Sequence, residues 1–163
     1  MKRFLLYVLT AGGLSLGLLG VATVALRADV DLDSLPGPSD ALWNAMVKVE
    51  SGGNPHAYNP NDGASGIAQI RTVCLDDTNR IARQRGLDAR FAPADRFNPR
   101  QARRIWSLYL AFYGREYARQ TGDEPTDETY ARIWNGGPTG WRKSSTVAYW
   151  GRVRAALEAD PAP

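Results

Sequence analysis

Asp40-Ala-Leu-Trp-Asn-Ala-Met-Val-Lys-Val-Glu50 carries its apolar residues at helical spacing. Trp43, Val47 and Glu50 fall at i, i+4 and i+7, with Leu42 and Met46 beside them and Lys48 opposite. The spacing predicts an amphipathic helix, capped by Ser39 and ending near Glu50. It also sets an acid on the apolar face. A carboxyl group held among Trp43, Met46 and Val47 would lose hydration, which disfavours its anion. Cleavage of a glycosidic bond needs such a group, still protonated near neutral pH and able to donate to a leaving oxygen. Taken alone, a helix-terminal acid turned into solvent is the commoner case.

Outward from this helix the chain reads as mainly helical. Ser51 to Gly66 is a polar loop punctuated by Gly52-Gly53, Asn54-Pro55, Asn59-Pro60 and Asp62-Gly63, and Gly66 to Ile70 is short and extended or turn-like. A helix from about Thr72 to Arg85 should stop at Gly86. Asn98-Pro99 supplies a cap followed by a first-turn proline. The helix it opens carries Ile105, Trp106, Leu108, Tyr109, Leu110, Phe112, Tyr113 and Tyr117, so it should be the central buried helix. Thr126 should cap a short helix ending near Trp134, broken by Gly136-Gly137-Pro138, and Thr146 should cap the last helix to about Ala159. Residues 40–159 are therefore expected to form one domain with a minimal extended segment.

Residues 1–28 stand apart. Lys2 and Arg3 precede an uncharged run from Phe4 to Leu26, a signal peptide or a membrane-anchoring helix. The acidic stretch Asp29 to Ser39 is a linker containing Pro and Gly. Export to the periplasm, or to the periplasmic face of the inner membrane, is the expectation. Of the 20 basic and 17 acidic residues, Lys2, Arg3 and Arg27 lie in the leader, leaving 17 of each sign. The remainder is neutral overall, which offers no case for nucleic acid binding. The only cysteine, Cys74, excludes an intrachain disulfide and reads as a small core residue. One His and one Cys leave few ligands for a metal, and no cofactor is expected.

Three segments follow in order: Glu50-Ser51-Gly52-Gly53-Asn54-Pro55, Gly66-Ile67-Ala68-Gln69 and Ile133-Trp134-Asn135-Gly136-Gly137-Pro138. Gly63 to Gln69 lacks the Lys-Ser/Thr ending of a phosphate loop. On a helical framework the set resembles the soluble lytic transglycosylases of the lysozyme-like superfamily, over about Asp40 to Leu157. In that family an acid-Ser pair, a Gly-Leu-Met-Gln motif and an Ala-Tyr-Asn-Ala-Gly motif occur in this order. The resemblance implies cleavage of the MurNAc-GlcNAc β-1,4 bond of peptidoglycan by one Glu, acting as acid and then as base, with a 1,6-anhydro-muramyl product. Attack by the substrate's own C6 hydroxyl needs no positioned water and no second carboxylate. It assigns catalysis to Glu50 and substrate binding to Ser51, Ala68, Gln69, Trp134, Asn135, Gly136 and Tyr149. Two positions depart from the pattern. Ala68 stands where the family has a Met lining the sugar site, and Trp134 replaces a Tyr. The lost hydroxyl leaves Tyr149 or Tyr130 to hydrogen-bond near the acid.

Two other functions remain open at this point. One is a hydrolytic muramidase in which Asp62 is the second carboxylate, as ordinary glycosidases require. The other is a non-catalytic glycan-binding module tethered through residues 4–26. Peptidoglycan strands are the expected partner in each case, and the protein is expected to be a monomer. Plainer roles compete residue by residue: Gln69 as a turn residue bonding backbone, Asp62 as the cap of the turn Asn61-Asp62-Gly63, and His56 on the surface. Trp134 and Trp141 are candidates to line the cleft, and Trp150 reads as core.

Overall fold

A computed structural model of the protein describes residues 37–159. The expected signal or anchor helix, and the linker up to residue 36, lie outside the described residues. Five α-helices carry the fold: α1 Asp40–Ser51, α2 Thr72–Gln84, α3 Pro99–Thr121, α4 Asp127–Gly136 and α5 Val147–Ala159. Short 3₁₀ turns occupy Pro93–Phe97, Gly140–Arg142 and Ser144–Thr146. Among the described residues extended structure is almost absent, with antiparallel bridges pairing Tyr58 with Ser65 and Ser65 with Ile70.

The helix boundaries follow from local chemistry. Ser39 accepts the Leu42 N–H at 3.1 Å to open α1, and Gly52, with φ of 63°, closes it. The Asn98 side chain accepts from the N–H groups of Arg100 and Gln101 to open α3, and Thr126 does the same for α4 through Thr129. Thr146 departs from expectation. Its hydroxyl shares its proton between the carbonyl oxygens of Gly140 (2.9 Å) and Lys143 (2.8 Å) while accepting from Arg132 Nε at 3.0 Å. It is therefore a buried clip joining α4 to the segment before α5, not a helix cap.

Helix α3 is central, packed against α2 and α4, while α1 lies mainly against α5. Leu42 and Met46 of α1, Ile81 of α2, Ile105, Trp106 and Leu110 of α3, Ile133 of α4 and Val153 of α5 are all essentially inaccessible. Each such side chain contributes roughly 1.5–3 kcal/mol relative to exposure. The expectation of burial all round α3 is too strong. Phe112, Tyr113 and Tyr117 are only partly buried, and Arg80 and Arg85 lie over the Phe112 ring. Trp43 of α1 meets Trp106 edge-on at 5.3 Å between ring centroids.

Cross-links hold the irregular segments. Arg96 donates from Nη1 to the carbonyl oxygens of Gly63 and Ile70, each at 3.1 Å. Asn79 pairs with both backbone groups of Phe91. Gly66 is required by close approach as well as by its φ of 75°: a Cβ there would lie 1.7 Å from the Arg96 carbonyl oxygen. Together these contacts fix the segment 63–70 beside the end of α1.

Candidate active site

Glu50 sits in the last turn of α1, where the negative end of the helix dipole already disfavours an anion. Tyr149 of α5 donates its hydroxyl to Glu50 Oε1 at 2.7 Å. Trp134 of α4 supplies a second side-chain hydrogen bond. Tyr149 is 3 % exposed and Trp134 9 %. Burial raises the Glu50 pKa from 4.5 to about 7, against the opposing pull of the two hydrogen bonds and then of the Arg152 and Arg71 charges. Burial and the adjacent Glu50 push the Tyr149 phenol above its ordinary range, so it stays a donor. The rings that contact the Glu50 carboxyl through hydrogen bonds belong to α4 and α5. Met46 and Val47 face the core, and Trp43 packs on Trp106.

A cleft of about 610 Å³ opens at Glu50. It is lined by Asn59, Asp62, Ala64, Gln69 and Ile70 from the loop after α1, by Arg71, Val73, Cys74 and Asp77 at the start of α2, by Tyr109 and Tyr113 of α3, and by Trp134, Asn135, Gly137 and Pro138 at the end of α4. Asp62 Oδ1 accepts the Ala64 N–H at 3.1 Å, so the turn-capping role holds. It nevertheless lies in the same cleft as Glu50. Gln69 has a left-handed backbone, φ 49°, which a residue with a Cβ rarely adopts. Its Nε2 donates to the Gly66 carbonyl at 3.1 Å, so it is both a turn residue and part of the cleft wall.

Other expected substrate contacts are absent from the cleft lining. Ser51 donates to the Ile67 carbonyl at 2.7 Å, joining the end of α1 to the Gln69-bearing turn. Ala68 is 2 % exposed and belongs to the core, so it is not among the residues that line the cleft. Gly136 turns its carbonyl to Lys143 Nζ at 2.6 Å. Tyr149 acts on Glu50 rather than on the cleft lining. Tyr130 is far from this role, packed against Gly114. Trp141 stacks edge-on with Tyr117 at 5.0 Å, away from the cleft lining, and Trp150 packs against the core. His56 is exposed.

Arg71, Asp77, Tyr109 and Tyr113 were not foreseen. Asp77 accepts from Tyr113 Oη at 2.5 Å and Arg80 Nε at 2.7 Å, which fixes the far end of the cleft. Its sequence signal is only an i, i+3 charge pair, the mark of any solvated helix face. Arg71 could have been flagged by its place directly after Gln69-Ile70. Cys74 is partly buried at the cleft wall, and burial pushes its thiol up to about 12, as suits an inert packing residue.

No protein-family model matches the chain. Among characterised proteins it is 49% identical over 43 residues to Lysozyme 1 of Crassostrea virginica, a match spanning 26% of this chain and only 23% of that protein. It is 32% identical over 119 residues to the lysozyme of Ostrea edulis, spanning 71% of this chain and 79% of that one. The crystal structure of Tapes japonica lysozyme superposes with a TM-score of 0.56 at 23% identity, covering 71% of this chain and 88% of that chain. A chain in the complex of Aeromonas hydrophila PliI with Meretrix lusoria lysozyme superposes with a TM-score of 0.57 at 24% identity, covering 72% of this chain and 88% of that one. The fold is therefore lysozyme-like. The expected assignment to the soluble lytic transglycosylases is corrected, because the relatives that match are named lysozymes. By its likeness to the Ostrea protein along most of both lengths, the chain belongs to the family of the bivalve lysozymes.

Proposed function

We propose that the protein is a muramidase that hydrolyses the β-1,4 bond between MurNAc and GlcNAc in peptidoglycan, with Glu50 as the acid and Asp62 as the second carboxylate. The observation that carries this reading is the pairing of a carboxyl group with a pKa of about 7 and a second carboxylate in one cleft. The names of the relatives support hydrolysis over an intramolecular lyase reaction.

In this reading Glu50 gives its proton to the glycosidic oxygen as the C1–O bond breaks. Positive charge develops at C1, and the Asp62 carboxylate faces it. Water then adds its oxygen to C1 and returns a proton to Glu50, restoring the acid. Tyr149 and Trp134 hold the Glu50 carboxyl in one orientation through both halves of the cycle. The wall lies outside the cytoplasm, so this function also rests on export, which the leader Lys2-Arg3 with Phe4 to Leu26 supports.

Digestion of peptidoglycan in heavy-oxygen water, followed by mass spectrometry, tests it. Each cut should yield a reducing muramic acid end carrying one solvent oxygen, and Glu50→Gln should abolish cutting while keeping glycan binding. Asp62→Asn should lose most turnover. Anhydro ends without solvent oxygen would refute hydrolysis, and binding without any wild-type turnover would refute an enzyme.

A further inference from the structure

Arg71 lines the same cleft as Glu50 and Asp62, and it is the one basic side chain among the described residues that does so. It is exposed. No carboxylate among the described residues lies within ion-pairing distance of it. Asp77, which lines the same cleft, is already engaged by Arg80 and Tyr113. Arg152, the other cation felt by Glu50, does not line the cleft and sits 5.5 Å from the Tyr149 ring centroid. The cleft therefore presents an unneutralised guanidinium next to its proton donor.

A guanidinium in a cleft that takes sugars is suited to a carboxylate, which it can meet through two parallel hydrogen bonds. Neutral N-acetylglucosamine units offer no such group. Muramyl units do, through the substituent on the C3 oxygen. It is a free lactyl carboxylate on strands without peptides, and on intact strands the first free carboxylate of the peptide stem.

We propose that Arg71 is a specificity-determining residue that binds the carboxylate carried by the muramyl C3 substituent, so that the protein prefers acidic glycan strands to neutral ones. This rests on the muramidase reading of the cleft. Arg71 contributes binding, so its loss raises KM on acidic substrates more than on neutral ones. Arg71 also lowers the Glu50 pKa, and that influence acts on every substrate alike. The ratio between substrates isolates the carboxylate contact.

The experiment compares wild type, Arg71→Gln and Arg71→Lys on three substrates at one pH. These are a neutral N-acetylglucosamine oligomer, a peptide-free GlcNAc-MurNAc oligomer and peptide-bearing strands. For an exposed charge pair, Arg71→Gln should raise KM roughly fivefold on the acidic substrate whose carboxylate is recognised. The rise on the neutral oligomer should be clearly smaller, and Arg71→Lys should restore part of the difference. Loss on the peptide-free oligomer assigns the lactyl carboxylate, and loss only on peptide-bearing strands assigns the stem. The wild-type preference should shrink as salt screens the pair. Equal loss on neutral and acidic substrates, or no loss on either acidic one, overturns the proposal while leaving the muramidase reading standing. Failure of the wild type to cut any of the three sinks that reading, and this proposal with it.

Discussion

Replacing Glu50 by Gln should make the protein more stable at alkaline pH. The folded state holds the Glu50 proton with a pKa of about 7, against an ordinary value of 4.5. A raised folded pKa means that the native state binds more protons than the unfolded state between these values, so stability falls as pH rises across that window. The contribution is complete below about pH 4.5 and is lost by about pH 7. At about 1.4 kcal/mol per tenfold change in proton affinity, the ionised carboxyl costs roughly 3 kcal/mol of folding stability. Gln is close in shape to the protonated acid, and its amide oxygen can still accept from Tyr149. Urea unfolding of both proteins, followed by tryptophan fluorescence across a pH series, measures the difference. Glu50→Gln should gain roughly 3 kcal/mol near pH 8, or ~6–12 °C in Tm, and the gain should fade towards zero near pH 4. A difference independent of pH, or a variant less stable than wild type at alkaline pH, would refute the claim that burial governs this group.

Three further outcomes follow from the same geometry. Tyr149→Phe removes a hydrogen bond that lowers the Glu50 pKa, so the alkaline limb of the activity profile should move up by about one pH unit; an unmoved limb would mean that the bond is idle. Gly66→Ala would drive a Cβ to 1.7 Å from the Arg96 carbonyl oxygen, and denaturant unfolding should show a loss of more than about 3 kcal/mol. Ser51→Ala breaks the 2.7 Å link between α1 and Ile67 and should cost about 1 kcal/mol, with turnover falling through a displaced Gln69 turn; unchanged kinetics would exclude that positioning role.

Glu50 was legible because an acid at a position reserved for apolar residues breaks a pattern visible within eleven residues. The caps Ser39, Asn98 and Thr126 were legible for a similar reason, since a helix start is settled by contacts two or three residues away. Thr146 misled by the same logic. Its hydroxyl is drawn to Gly140, Lys143 and Arg132 by tertiary contacts that no local rule contains. Ser51 and Ala68 were legible as part of a motif but not in their roles. The Ser51 hydroxyl bonds the Ile67 carbonyl and the Ala68 methyl packs in the core, contacts that a linear motif does not reveal.

The chemistry of the acid therefore depends on parts of the chain far from it. Alone, α1 would expose Glu50 to water at its C-terminal end. The raised pKa arises because α5 packs along α1 and brings Tyr149 across 99 residues of sequence, while α4 brings Trp134. That arrangement persists although the ionised carboxyl opposes it. Leu42, Met46, Ile133 and Val153, all inaccessible, bind the same three helices together, and their burial, about 6–12 kcal/mol in all, exceeds roughly 3 kcal/mol at least twofold. Weakening that junction at Val153, away from every cleft-lining residue, should let water reach Glu50 and return its pKa towards 4.5. Proton donation at neutral pH would then fall before the fold is lost. The raised pKa is thus a property of the α1–α4–α5 junction, and Glu50 is the residue at which that property is expressed.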